Sequence, residues 1–131
     1  MHKLIAYHND PAIKADILAQ LEAHRAADQL VQGKTWENGK GCAVGCTLHG
    51  YDHMEYETRF GIPVAIARLK DSTFEGLTNA QAMDWPIRIM TAIEPGQDLS
   101  RVHWHLLHLL LTDKTINPGI DHPTVKDAVR Q

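Results

Sequence analysis

Apolar residues in the stretch 10–33, "DPAIKADILAQLEAHRAADQLVQG", recur with the spacing of a helix. At about 100° per residue, Ile13, Ile17, Leu21, Ala27 and Val31 fall along one stripe. Asn9 or Asp10 suits the cap, Pro11 the first turn, and Gly33 the stop. Two polar side chains, Gln20 and His24, project within that stripe, with His24 near its middle.

The pattern then breaks. "KTWENGKG" (34–41) reads as a polar, glycine-rich loop, and a second helical segment is expected from about Gly41 through Leu48, weakened at Gly50. "YDHMEYETRFG" (51–61) continues as a turn or two of helix, with Asp52 as cap and Glu55 three positions on. "IPVAIARLKDSTFEGL" (62–77) opens on Pro63 and sets Ile66, Leu69 and Phe74 near one face. In "TNAQAMDWPIRIMTAIEPG" (78–96), Pro86 predicts a helix that starts near Asp84 or kinks there. "DLSRVHWHLLHLLLTD" (98–113), capped by Asp98 or Ser100, is apolar around most of its circumference, the pattern of a helix at the centre of a bundle. A loop follows, and a further helix opens at Pro123. The only extended candidate is a short N-terminal strand at "KLIAY" (3–7). The expected fold is all-α: a compact bundle of five to six helices in a single domain, 1–131, with 41–49 and 99–112 near its centre.

Composition narrows the class. A chain of 131 residues with 44% apolar and 22% charged residues and net charge −3 has the make-up of an ordinary soluble globular protein. Its 13 Lys and Arg are dispersed with no run of three, which argues against a nucleic-acid partner, because phosphate tracking needs clustered cations. The run Leu109 to Leu111, separated by His108 from Leu106 and Leu107, is too short to span a bilayer. The N-terminal residues lack the apolar run of a secretion signal, and 2 cysteines then point to free thiols in a reducing, cytoplasmic setting.

The densest candidate chemistry lies in "CAVGCTLHGYDH" (42–53), with Cys42, Cys46, His49 and His53. On one continuous helix these four would share a narrow face, but its ends would stand about 16 Å apart. Zinc bonds span only about 2.0–2.3 Å, so a single helix cannot bring all four to one ion. A metal reading, with zinc or iron, therefore uses Cys46, His49 and His53 in part, completed by His24, His105 or His108. His103 faces away from His105, whereas His105 and His108 share a side. A thiol reading places Cys42 at a helix start beside Lys40, both of which lower a thiol's pKa. In that respect Cys42 resembles the cysteine of thioredoxin-like and alkylhydroperoxidase-like redox proteins, although three residues separate it from Cys46 where those families have two. A Cys42–Cys46 disulfide is disfavoured, because an i, i+4 pair holds its β carbons farther apart than about 3.8 Å.

His24, His53 with Glu57, and His108 with Asp113 resemble part of the hemerythrin di-iron ligand set in a chain of similar length. The resemblance implies an iron site, but the family's central H-x-x-x-H pair has no counterpart, since no histidine lies between Arg59 and Ser100. The simplest reading needs no ligand. The cysteines pack as small hydrophobes among Gly41, Ala43, Gly45 and Gly50, where two helices approach closely. Glu55, Glu57, Asp71 and Glu75 are then solvated surface, and "ENGKG" is too short for a phosphate loop. No complete catalytic motif appears. The leading expectation is a small helical binding protein acting through a protein partner or a second copy of itself, with metal binding and Cys42 thiol chemistry as alternatives.

Overall fold

The computed structural model describes residues 3–116 together with Pro123. The described chain is mostly helical, with six α-helices and one small two-stranded sheet, and it divides into two compact units, residues 1–100 and 101–131.

In the first unit, α1 (Pro11–Ala26) is capped by the Asp10 carboxylate, which accepts the Ala12 N–H at 2.9 Å. It stops well before Gly33. Asp28 takes a left-handed φ of 58°, and Leu30 turns inward beside a bridge to Gly41, so Leu30 is buried in place of the expected Ala27 and Val31. The expected loop at 34–41 closes as a hairpin, β1 (Trp36–Glu37) against β2 (Lys40–Gly41). Its turn residues, Asn38 and Gly39, both have positive φ, the conformation a tight two-residue hairpin demands.

α2 (Ala43–Leu48) is buried at every position. α3 (Glu55–Phe60), α4 (Val64–Gly76) and α5 (Asn79–Ala92) follow. α5 starts at neither Asp84 nor Pro86: the Thr78 hydroxyl caps it, and the helix runs through Pro86. α2 packs against both α1 and α4, and α1 packs on α5. The N-terminal strand reduces to one bridge between Ile5 and Asp98, after which Tyr7, His8 and Asn9 all adopt left-handed φ. Such a turn costs about 1 kcal/mol or more per residue. Tertiary contacts hold it: the buried Tyr7 hydroxyl donates to the Met90 carbonyl at 2.6 Å, near the end of α5 where helix carbonyls lack partners.

The second unit contains α6 (Val102–Thr112), which has no side-chain cap because Asp98 accepts instead from Ser100. No residue of α6 is buried. The helix expected from Pro123 onward lies outside the described residues apart from Pro123 itself. Among the described residues no helix is long and apolar enough to cross a membrane.

Candidate functional site at the seam of α2 and α4

Cys42 is the N-cap of α2, with extended backbone and its Sγ 3.5 Å from the Gly45 N–H. Its own N–H donates to the Thr35 carbonyl at 3.2 Å. That carbonyl lies so close that a β carbon on Gly45 would sit 1.4 Å from it, and one on Gly41 would sit 2.1 Å away. The small residues of this segment thus admit the backbone of Thr35, whereas a second helix was expected. Both cysteines are free and buried. Burial pushes the Cys42 thiol up to about 12, aided by the adjacent Asp71 carboxylate, and outweighs the Gly45 N–H that favours the thiolate. Burial likewise raises Cys46 to about 11, and its Sγ rests 3.3 Å from the Gly41 carbonyl.

The buried face of α4 is Ala67, Lys70 and Phe74. The expected Leu69 is 37% exposed, while Lys70 is 0% exposed. Lys70 Nζ donates to Thr47 Oγ1 at 2.8 Å and to the Tyr56 hydroxyl at 2.9 Å. The Thr47 hydroxyl spends its own proton on the Ala43 carbonyl. Burial drives the Lys70 pKa down to about 7, against the opposing influence of Cys42, Cys46 and Asp71. A neutral amine has two N–H donors, and two acceptors meet them.

Next to Lys70, Asp71 is half-buried, while Glu75, one turn on, stays exposed as expected. The donor atoms of Cys42, Asp71 and Glu75 all lie within 4.8 Å of one another. His53, in the turn ahead of α3, places Nε2 3.6 Å from Asp71 Oδ2. The other oxygen, Asp71 Oδ1, is sealed from solvent and receives no well-formed hydrogen bond. Glu75 Oε2 accepts the Gly33 N–H at 2.8 Å.

The histidines divide differently from the sequence expectation. α2 ends at Leu48, and His49 caps it in the left-handed region with φ 54°, so Cys42, Cys46, His49 and His53 share no continuous helical face. His49 Nε2 meets His24 Nε2 at 2.7 Å, and His24 Nδ1 lies 2.7 Å from Gln29 Oε1. The Trp36 ring stacks on His49 with centroids 4.6 Å apart. Burial first, then the charges of His24 and Arg59, hold the His49 pKa below its ordinary value. His24 and His49 are thus brought together, while His53 is held by Asp71. Glu57 accepts the Val64 N–H, so the first half of the hemerythrin-like set has other partners. His105 and His108 lie on α6 in the second unit.

A cleft of about 320 Å³ opens between α1 and α3, lined by Ile13, Asp16, Ile17, Gln20, Arg59 and Phe60. Gln20 Nε2 donates to the Cys46 and Thr47 carbonyls at 2.7 and 2.9 Å, and Arg59 donates to the Leu48 carbonyl at 2.9 Å. These two side chains satisfy the carbonyls that the end of α2 leaves open. Asp16 has no cationic partner among the described residues. Comparison with known proteins returned no matching family model, no similar curated protein and no similar solved structure.

Proposed function

We propose that the chain is a helical binding module whose α1–α3 cleft takes an apolar, positively charged segment of a protein partner. The observation that carries this reading is the cleft's lining: Ile13, Ile17 and Phe60 supply apolar surface, and Asp16 adds a carboxylate with no cationic partner among the described residues. Pockets that hold a ligand combine such surface with a few polar groups that fix its orientation. Arg59 is engaged by the Leu48 carbonyl and Glu55, so the uncompensated charge in the cleft is negative. The net charge of −3 favours the same sign of partner. Burial of the Cys46 thiol against the Gly41 carbonyl agrees with a structural part for Cys46 in this reading.

Two amphipathic peptides of equal apolar content, one lysine-bearing and one glutamate-bearing, test the idea in an amide-shift titration. The lysine peptide should move resonances over 13–20 and 59–60, and D16K should weaken it about fivefold, the scale of an exposed ion pair. Equal response to both peptides, shifts confined to other residues, or no response would refute the proposal.

A further inference from the structure

Away from the cleft, at the other end of α2, a second set of groups has no part in that binding reading. We infer that Cys42, Asp71 and Glu75 form a binding site for a divalent transition-metal ion of the zinc type. The three donors come from two elements distant in sequence, the N-cap of α2 and one face of α4, yet their ligand atoms lie within 4.8 Å of one another. Tetrahedral coordination at bonds of about 2.0–2.3 Å sets donors roughly 3.5 Å apart, so closing on an ion asks each side chain to draw in by about 1 Å. α4 carries both carboxylates one turn apart, and Asp71 and Glu75 need only rotamer adjustment to converge.

A second observation points the same way. Asp71 Oδ1 is sealed from solvent and receives no well-formed hydrogen bond, although the weak S–H donor of Cys42 faces the same carboxylate, whereas a buried carboxylate oxygen ordinarily has a full partner. A bound cation supplies that partner. The surroundings already orient the donors: His53 faces Asp71 Oδ2 at 3.6 Å, and the Gly33 N–H holds Glu75 Oε2 at 2.8 Å. One thiolate with two carboxylates suits zinc or cobalt(II) better than magnesium or calcium, which prefer oxygen alone. Three protein donors leave one coordination position to water. Binding breaks the Cys42 S–H bond, the sulfur lone pair forms the bond to the metal, and the proton leaves to solvent, one per ion.

Cobalt(II) added to chelator-treated protein provides the test, since a thiolate ligand produces a sulfur-to-cobalt charge-transfer band in the near ultraviolet. One equivalent should saturate the band, zinc should abolish it, and an unbuffered solution should acidify by one proton per ion. The band should be absent in C42S and unchanged in C46S. E75Q, a change at an exposed side chain that keeps an oxygen for the Gly33 N–H, should bind cobalt at least tenfold more weakly, and it decides the matter if C42S does not fold. Absence of the band in the wild-type protein, its survival in folded C42S, or wild-type affinity in E75Q overturns the site.

Discussion

Lys70 gives the first unit an unusual dependence on pH. Its amine is wholly buried and its pKa falls from 10.5 to about 7 on folding, so between those values the unfolded chain holds a proton that the folded chain does not. Stability therefore rises with pH across that window. Below pH 7 both states are protonated and the full penalty of burying the ammonium is present. With about 1.36 kcal/mol per pH unit and the curvature near each midpoint, Lys70 contributes about 2 kcal/mol between pH 7 and 9, and the raised thiols offset part of it, leaving a net gain of about 1 kcal/mol or more. Beyond pH 9 the sign reverses. Cys42 and Cys46 rise from 9.0 to about 12 and about 11, and Tyr7 and Tyr56 are also raised by burial, so the unfolded chain loses those protons first. The maximum should fall near pH 9. Trp36 and Trp85 both belong to the first unit, and the Trp85 indole donates to the Lys70 carbonyl at 2.8 Å. Urea unfolding followed by tryptophan fluorescence in a W104F background thus reports on the relevant region. K70M removes the titrating group and should flatten the rise between pH 7 and 9, whatever it does to stability itself. A wild-type curve that is flat or falling over that range, or an equal rise in K70M, would refute the reasoning.

Two further perturbations probe α2 and its caps. G45A drives a β carbon against the Thr35 carbonyl and should cost about 3 kcal/mol or more in urea unfolding, whereas G50A, with open space around it, should change stability by less than about 1 kcal/mol. His49, held below 6.5 first by burial and then by His24 and Arg59, should titrate below that value in an NMR experiment, and H24A should move its midpoint upward. Because its folded pKa is depressed, the stability this group contributes is present above 6.5 and lost as pH falls below it.

Local signals carried much of the helical layout. Asp10 with Pro11 marks the start of α1, and Pro63 stands just ahead of α4, whereas α5 opens at Thr78, ahead of the expected Asp84. The misses have physical causes. Gly33 is the obvious stop for α1, but Asp28 takes the left-handed conformation first, so Leu30 turns into the core. Asn38-Gly39 is a strong hairpin signal, yet its strands are two residues each and show no alternation to reveal them. Lys70 escaped because binary patterning sends a lysine outward and prefers Leu69, although Lys70 lies on the stripe of Ala67 and Phe74. The inward placement depends on Thr47 and Tyr56, acceptors from α2 and α3 that no window around residue 70 contains.

The candidate sites were legible in kind and illegible in grouping. Cys42, Cys46, His49 and His53 were singled out from spacing alone, but spacing assumes one helix, and α2 ends at Leu48. Once His49 turns left-handed, the side chains beyond it follow other neighbours: His49 meets His24 and Trp36, and His53 meets Asp71. Asp71 and Glu75 looked like solvent-facing carboxylates because nothing near them in sequence is a metal donor. Only packing of α2 on α4 brings Cys42 to them.

α2 therefore has a different task at each end. Its first residue, Cys42, is held among carboxylates, and its last carbonyls are held by Gln20 and Arg59 in the wall of the cleft. Six residues of helix span about 9 Å, so the two ends meet different sets of side chains. What joins the ends is Thr47 in the last turn: its hydroxyl accepts from Lys70 and donates back to the Ala43 carbonyl, while its own carbonyl accepts from Gln20. Charging Lys70 would place an ammonium beside two thiols and the Asp71 carboxylate, so burial of this amine bears on the Cys42 end of α2.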